Sequence, residues 1–321
     1  MALRIGRATA TAPWEDSPDT MKITFWGTRG SIATPGPDTV RYGGNTACVE
    51  FSDDKNLVVF DVGTGLRLLG EDLCRRIPAG KINAHLFISH FHFDHIIGFP
   101  FFRPLYTPGN SFTLYGCEGT GRKLENIFVG QLSPEYFPVS LSEIPAKINF
   151  VQLTTRPQTL NGWTITPAYV NHPGLALGYR VDNGKSRAVY MTDNEPFRYL
   201  LRQQAKKTPI YDDLDRGEVE LEREDLMLVD FLEGADVLIH DAQYTIEEYR
   251  TKTGWGHSFY DFAVEMALRG KVKKLILFHH DPLRTDKDLD LQVQRARSIV
   301  AQRGAVLEIE AAFEGLEIEL P

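Results

Sequence analysis

Ser89-His90-Phe91-His92-Phe93-Asp94-His95 places three imidazoles and a carboxylate within six residues, directly after the apolar run Ala84-His85-Leu86-Phe87-Ile88. The run reads as a short buried strand, so the polar side chains leave its end on a loop entering a helix over Asp94–Phe99. Neutral imidazole and carboxylate bind zinc, manganese or iron where thiolates are absent. A surface histidine cluster is the competing reading. It is the weaker one, because Phe91, Phe93, Ile96, Ile97 and Phe99 frame the cluster and are expected inside.

A site for two metals needs more ligands than this cluster holds. Each further candidate lies just past an apolar run that reads as a strand. His172 follows Thr164–Val170, Asp193 follows Ala188–Thr192, and His279 follows Lys274–Phe278. His280 competes with His279. Taken alone, each is equally well a polar loop residue.

The rest of the chain is ordinary soluble protein. Of 321 residues, 42% are hydrophobic and 24% charged, which is typical of a globular domain. A net charge of −8 removes any global field that would attract nucleic acid. The local basic runs Lys206-Lys207 and Lys271-Val272-Lys273-Lys274 read as solvated faces. Cys48, Cys74 and Cys117 are odd in number and form no CxxC pair, which argues against a disulfide framework or a cysteine zinc site. They fit reduced packing residues in a cytoplasmic protein. No apolar run approaches the roughly 18 residues that a membrane span requires. Met1–Thr20 has no apolar core of a secretory signal and reads as a flexible lead-in.

From Met21 the pattern is short strands, Gly-rich turns, then helices, with no internal repeat visible. Strands are expected at 22–26, 46–51, 56–60, 148–153, 163–170, 177–181, 188–192, 235–240, 272–278, 306–310 and 315–320. Helices are expected at 66–76, near 122–132, at 258–268 stopped by Gly270, and at 286–302. Asn183-Gly184 marks a hairpin. Asp61-Val62-Gly63-Thr64-Gly65 is a strand-to-helix turn of the kind that cradles phosphate, but it lacks the Lys-Ser/Thr of a nucleotide loop. Strands in two groups with helices outside imply an α/β four-layer αββα sandwich. One domain is expected over 21–321, with insertions near 116–145 and 196–232.

The motif His-x-His-x-Asp-His after an apolar strand resembles the metallo-β-lactamase superfamily. The resemblance implies that His90, His92 and His172 hold one divalent ion and Asp94, His95 and His279 a second, zinc or manganese, with Asp193 bridging. It prefers His279 to His280, from the spacing to Pro282. It also makes Asp61 a buried brace of the metal loop. Ile239-His240-Asp241-Ala242 and Gly256-His257-Ser258 resemble the His-Glu-Ala-Thr and Gly-His-Ser-Thr stretches of ribonuclease Z. By that resemblance His257 bonds the scissile phosphate and Asp241 orients it, although aspartate replaces the usual glutamate. A carboxylate would keep such a histidine cationic.

Transfer-RNA processing in that group uses a long arm between the third histidine and the bridging aspartate. Here His172 and Asp193 are only 21 positions apart, with a hairpin filling the gap. The resemblance is closest to arm-less cyclic phosphodiesterases, and the expected substrate is a small phosphodiester, a cyclic nucleotide among the candidates. Nucleic acid is not favoured, no membrane is expected, and a homodimer is left open. The rival readings are an arm-less ribonuclease, a thioesterase-type hydrolase and a non-catalytic sensor. Gly27–Ser31 and Arg41–Thr46 look like the same branch without an assigned role. Tyr136 and Phe137 offer aromatic faces either to a nucleobase or to the core or a partner subunit.

Overall fold

Central strands are identified by being apolar at nearly every position. β11 (Val237–Asp241) is buried at all five residues and β12 (Lys274–Phe278) at four of five, as a sheet covered on both faces requires. β8 (Trp163–Tyr169) alternates instead, with Trp163, Ile165 and Pro167 inward. The structure is a computed structural model that describes residues 20–117, 122–199, 219 and 221–321. The lead-in up to residue 19 and most of the 196–222 stretch, including Lys206-Lys207, lie outside the described residues.

The described strands form two seven-stranded sheets. The first contains β1 (Met21–Gly27), β2 (Cys48–Ser52), β3 (Leu57–Phe60), β4 (Asn83–Phe87), β5 (Ser111–Gly116), β6 (Lys147–Gln152) and the C-terminal β14 (Glu317–Leu320), in the order 14-1-2-3-4-5-6. The second contains β7 (Gln158–Leu160), β8, β9 (Leu177–Asp182), β10 (Arg187–Met191), β11, β12 and β13 (Glu308–Ala311), in sequential order. In the first sheet pairing is antiparallel from β14 to β3 and parallel from β3 to β6. The second repeats this, antiparallel from β7 to β10 and parallel from β10 to β13. The two halves share a topology that no sequence repeat reveals. Strand pairing needs only apolar patterning, which many unrelated residues satisfy.

Helices cover the outer faces. They are α1 (Gly65–Arg76), α2 (Phe93–Ile96), α3 (Leu124–Gln131), α4 (Arg223–Leu232), α5 (Ile246–Lys252), α6 (Tyr260–Arg269) and α7 (Asp286–Gln302). Between the sheets lies a core that includes Phe25, Phe60, Tyr179, Ile239 and Phe278. A second apolar layer joins the first sheet to α1 and α3 through Leu66, Leu73 and Phe128. A third joins the other sheet to α4, α6 and α7 through Leu228, Phe262 and Val293. The result is the expected four-layer sandwich. No described helix is long and apolar enough to cross a membrane.

Several local expectations change. The helix expected over 94–99 is a single turn, Phe93–Ile96, followed by a 3₁₀ turn at Phe99–Phe101. Gly98 N–H is drawn away to Val62 O, and Pro100 has no N–H to continue the ladder. The 116–145 stretch joins the end of β5 at Gly116 to β6, which begins at Lys147. The 196–232 stretch includes Leu228, Val229 and Leu232 of α4, which are core residues. After α6 the left-handed residue is Lys271 (φ 52°), while Gly270 stays right-handed. The Lys271–Lys274 run is ion-paired, with Glu233, Asp236, Glu308 and Glu310. The 286–302 helix is as expected, opened by a capping box between Thr285 and Asp288.

Phe60 is fully buried, with ring contacts to Phe51, Phe87, Tyr179 and Tyr190 across both sheets. Phe60→Ala should therefore lower stability by about 3–5 kcal/mol. Urea unfolding should show a lower midpoint with an unchanged slope.

Candidate metal centre

Among the strand ends that finish in left-handed backbone, three meet at one edge of the sandwich, where only the surrounding packing can hold a non-glycine residue so. They are Asp61 (φ 58°) after β3, Asp193 (φ 50°) after β10 and His279 (φ 58°) after β12. Each turn swings a polar side chain out of the sheet direction into the space between the sandwich edges. His90, His92, Asp94 and His95 enter the same space from the loop after β4, and His172 enters from the end of β8. In open sheets the C-terminal strand ends are the usual place for a ligand.

Among the described residues the donors fall into three groups. His90, His92, His172 and Asp193 bring their ligand atoms within 4.8 Å of one another, as do Asp94, His95 and His279, and a third set of Asp193, His257 and His279 links the two. Asp193 divides its oxygens. Oδ2 lies 3.5 Å from His90 Nε2, whereas Oδ1 lies 3.3 Å from His95 Nε2 and 3.2 Å from His279 Nε2. Asp94 Oδ2 is 3.2 Å from His95 Nε2 and 3.1 Å from His279 Nε2. In the first group His92 presents Nδ1, 3.1 Å from His172 Nε2.

The outward nitrogens are fixed by partners that set their tautomers. His95 Nδ1 donates to Asp61 Oδ2 (2.7 Å), His172 Nδ1 to Gly256 O (3.0 Å) and His279 Nδ1 to Gln243 Oε1 (3.0 Å). Their Nε2 lone pairs then face the centre. Asp61, the expected brace, also accepts from Ser89 N–H (2.7 Å), Ser89 Oγ–H (2.8 Å) and Tyr190 O–H (2.7 Å). His280, the alternative to His279, points away and donates from Nε2 to Ala312 O (2.8 Å). Burial, reinforced by Arg29, pushes its imidazole down to about 3.

These residues suit divalent cations. His90 Nε2 is buried without a hydrogen-bond partner among the described residues. Two buried carboxylates, Asp94 and Asp193, converge on imidazoles whose nitrogens face one another instead of facing donors. Buried charge of this kind is costly unless paired or coordinated to metal. Burial first, then His95, pushes His90 well below its ordinary value. Burial also opposes charge on His95, but Asp94, Asp193 and Asp61 outweigh it and hold that imidazole well above the ordinary range. The field at the centre is one that attracts positive charge.

His257 stands beside these groups. Its Nδ1 is 3.2 Å from Asp241 Oδ2 and 3.6 Å from Asp193 Oδ2. Asp241 Oδ2 also accepts from Ser258 N–H at 3.1 Å, so the shorter aspartate does reach. Burial disfavours the cation, yet the Asp241 hydrogen bond and the Asp193 charge outweigh it and hold His257 up at about 9. His257, His92, Asp94 and Asp193 line a cavity of about 400 Å³ together with Ser31, Phe91 and Phe93.

Several residues of this site were not read from the sequence. Ser31, itself left-handed (φ 64°), donates its N–H to Asp94 Oδ2 at 2.7 Å. This gives the Gly27–Ser31 loop its role. A Cβ on Gly30 would meet the His279 ring at 2.4 Å. Glu195 is fully buried and accepts from Tyr249 O–H (2.8 Å), Gly254 N–H (2.6 Å) and Gly256 N–H (2.8 Å). It thereby holds the loop that carries His257 and the carbonyl that receives His172. Gly256 needs its own freedom: its φ is 89°, and a Cβ would lie 2.1 Å from the His172 ring. Only the position of Glu195, two residues past Asp193, could have signalled it. Phe93 and Ile97, expected inside, are 72% and 42% exposed. The loop lies at the sandwich edge and turns them toward a second cavity.

Asp61→Ala should orphan Tyr190 O–H, Ser89 N–H and His95 N–H in a fully buried position. At about 1–3 kcal/mol for each stranded group, stability should fall by several kcal/mol in a urea titration, while Asp61→Asn should lose markedly less.

Residues 57–210 match the model of the β-lactamase superfamily domain. Ribonuclease Z of Haloarcula marismortui is 22% identical over 289 residues, covering 81% of this chain and 86% of that protein. YhfI of Bacillus subtilis, a metallo-β-lactamase fold protein, superposes with a TM-score of 0.62 at 18% identity, covering 94% of this chain and 100% of that one. A diphosphatase of the PhnP family gives a TM-score of 0.61 at 19% identity, covering 94% and 97%. The chain is therefore similar to the β-lactamase superfamily domain over residues 57–210 and has the metallo-β-lactamase fold, and ribonuclease Z proteins are among the sequences it resembles.

Proposed function

We propose that the protein is a metal-dependent hydrolase of phosphodiesters, with two divalent cations, zinc or manganese, and a small or cyclic nucleotide diester as substrate. The observation that carries this reading is the divided carboxylate of Asp193 beside an imidazole, His257, clamped by a separate carboxylate. The first feature serves two cations. The second suits a proton donor held in one orientation at the wall of the cavity. His90, His92 and His172 would hold one cation, Asp94, His95 and His279 the other, and Asp193 both. When bound, such cations supply Lewis acidity toward a phosphoryl oxygen and acidify water.

The protein's own groups do the remainder. Asp94, held by Ser31 N–H, faces the cavity, where it orients the attacking water and takes its proton. His257, kept protonated by Asp241, stabilises the phosphoryl charge and delivers a proton to the leaving oxygen. Glu195 fixes the loop so that His257 approaches substrate in one orientation. The ribonuclease Z relatives and the diphosphatase support phosphorus as the centre attacked. A small substrate is supported by the net charge of −8 and by the β9–β10 hairpin, which takes up the space between His172 and Asp193 where an arm would emerge. Coverage of 81% of the chain by a ribonuclease Z favours RNA as the second reading. The free cysteines Cys48, Cys74 and Cys117 suit a cytoplasmic location.

Metal analysis of the purified protein should find two divalent ions per chain, and Asp193→Ala should lose both. Stoichiometric metal in that variant would overturn the bridging assignment. His257→Ala should keep its metal and lose roughly 10²–10⁴-fold in rate on bis(p-nitrophenyl) phosphate or cyclic nucleotides. Turnover of a thioester or an RNA substrate, with none of small diesters, would displace the reading.

A further inference from the structure

A cavity of about 510 Å³ adjoins the metal centre and shares Phe91 and Phe93 with it. That volume lies within the range of small-ligand pockets, about 300–1,000 Å³. Its walls are aromatic: Phe91, Phe93, Phe101, Tyr136 and Phe137. Phe101 and Phe137 meet edge to face at 5.5 Å, which sets the angle of the far wall. Three of these rings are turned outward at a cost in exposed apolar surface, with Phe93 72%, Phe101 56% and Tyr136 81% exposed. A clustered apolar exposure of this kind marks a binding surface.

The polar content of the cavity is specific. Gln131, at the end of α3, lines it, and both Nε2 and Oε1 of its carboxamide are buried without a hydrogen-bond partner among the described residues. Stranding such groups costs about 1–3 kcal/mol each unless a ligand pairs with them. Arg122 contributes a guanidinium to the same wall. Aromatic faces suit any planar heterocycle, and stacking contributes about 1–3 kcal/mol per base. A carboxamide offers one donor and one acceptor side by side, which matches the donor–acceptor edge of adenine.

We propose that this cavity is a nucleobase subsite, in which the aromatic walls stack the base of a nucleotide diester and Gln131 pairs with its edge. The shared Phe91 and Phe93 make the subsite continuous with the catalytic cavity, so base and phosphodiester belong to one substrate. This rests on the phosphodiesterase reading and narrows its substrate class.

The test compares adenosine 2′,3′-cyclic phosphate with methyl riboside 2,3-cyclic phosphate, which lacks the base. In the wild-type holoenzyme kcat/KM should favour the nucleotide. Tyr136→Ala and Phe101→Ala should each reduce that preference about 5–50-fold, through KM, in line with the loss of one stacking face. Gln131→Leu should reduce the preference for adenosine over uridine cyclic phosphate. Calorimetric binding of adenosine 5′-monophosphate should weaken in the same variants. Equal effects on both cyclic phosphates would overturn the subsite. So would variants that dissociate a dimer without altering the preference, because the rings would then be an interface between copies. If no diester is hydrolysed but adenosine 5′-monophosphate still binds and Tyr136→Ala weakens it, the hydrolase reading fails and the subsite stands. If bis(p-nitrophenyl) phosphate is hydrolysed and the base gives no preference, the subsite alone fails.

Discussion

Asp61 accepts hydrogen bonds from Ser89 and His95 on the first sheet's side and from Tyr190 in the second sheet, all between 2.7 and 2.8 Å. One buried carboxylate thus ties both halves of the sandwich directly beneath the candidate metal centre. Its left-handed backbone is tolerated because these bonds over-determine it. The order of the ligand loop follows from it. Ser89 is pinned, so His90 leaves the strand in a fixed direction, and His95 Nδ1 is held, so Nε2 faces inward.

The donors come from both sheets. His90, His92, Asp94 and His95 follow β4, while His172, Asp193 and His279 follow β8, β10 and β12. Neither sheet holds a complete set, so the centre exists only when the inter-sheet core of Phe25, Phe60, Tyr179 and Phe278 is packed. Folding and site formation are therefore one event in physical terms, and the packing of Phe60 bears on the geometry of Asp193 through Tyr190, its stacked neighbour. Around this frame, support comes from backbone amides and carbonyls. Ser31 N–H holds Asp94, Gly256 O holds His172, and Glu195 gathers the amides of Gly254 and Gly256. Backbone groups cannot change rotamer, so they position the side chains rigidly.

Next to the rigid centre the molecule exposes aromatic surface. The division of labour is one that binding sites commonly show: convergent polar groups fix the reacting atoms, and apolar walls recognise what is attached to them. Phe91 and Phe93 alternate with His90, His92 and Asp94 in sequence. Phe91 lies in the loop before α2 and Phe93 opens α2, and both rings line the second cavity as well as the one at the candidate metal centre.

His-x-His-x-Asp-His was legible in the sequence because its candidate donors are local, and the strands on either side were legible from their apolar runs. His172, Asp193 and His279 were legible as polar residues at strand ends, and the choice between His279 and His280 rested on resemblance alone. Only the tertiary structure separated those two, because backbone φ at 279 decides which imidazole turns inward. Ser31 and Glu195 were silent for a related reason. Ser31 acts through its amide, which every residue except proline possesses, and Glu195 acts on amides some 60 residues away. The repeated sheet topology was hidden because pairing depends on apolar pattern and not on residue identity. The sequence by itself determined the donor chemistry and the strand-end placement. The three-dimensional packing decided which donors share an oxygen of Asp193, which carboxylate lies beside His257, and that Phe93 and Ile97 line a cavity instead of filling the core.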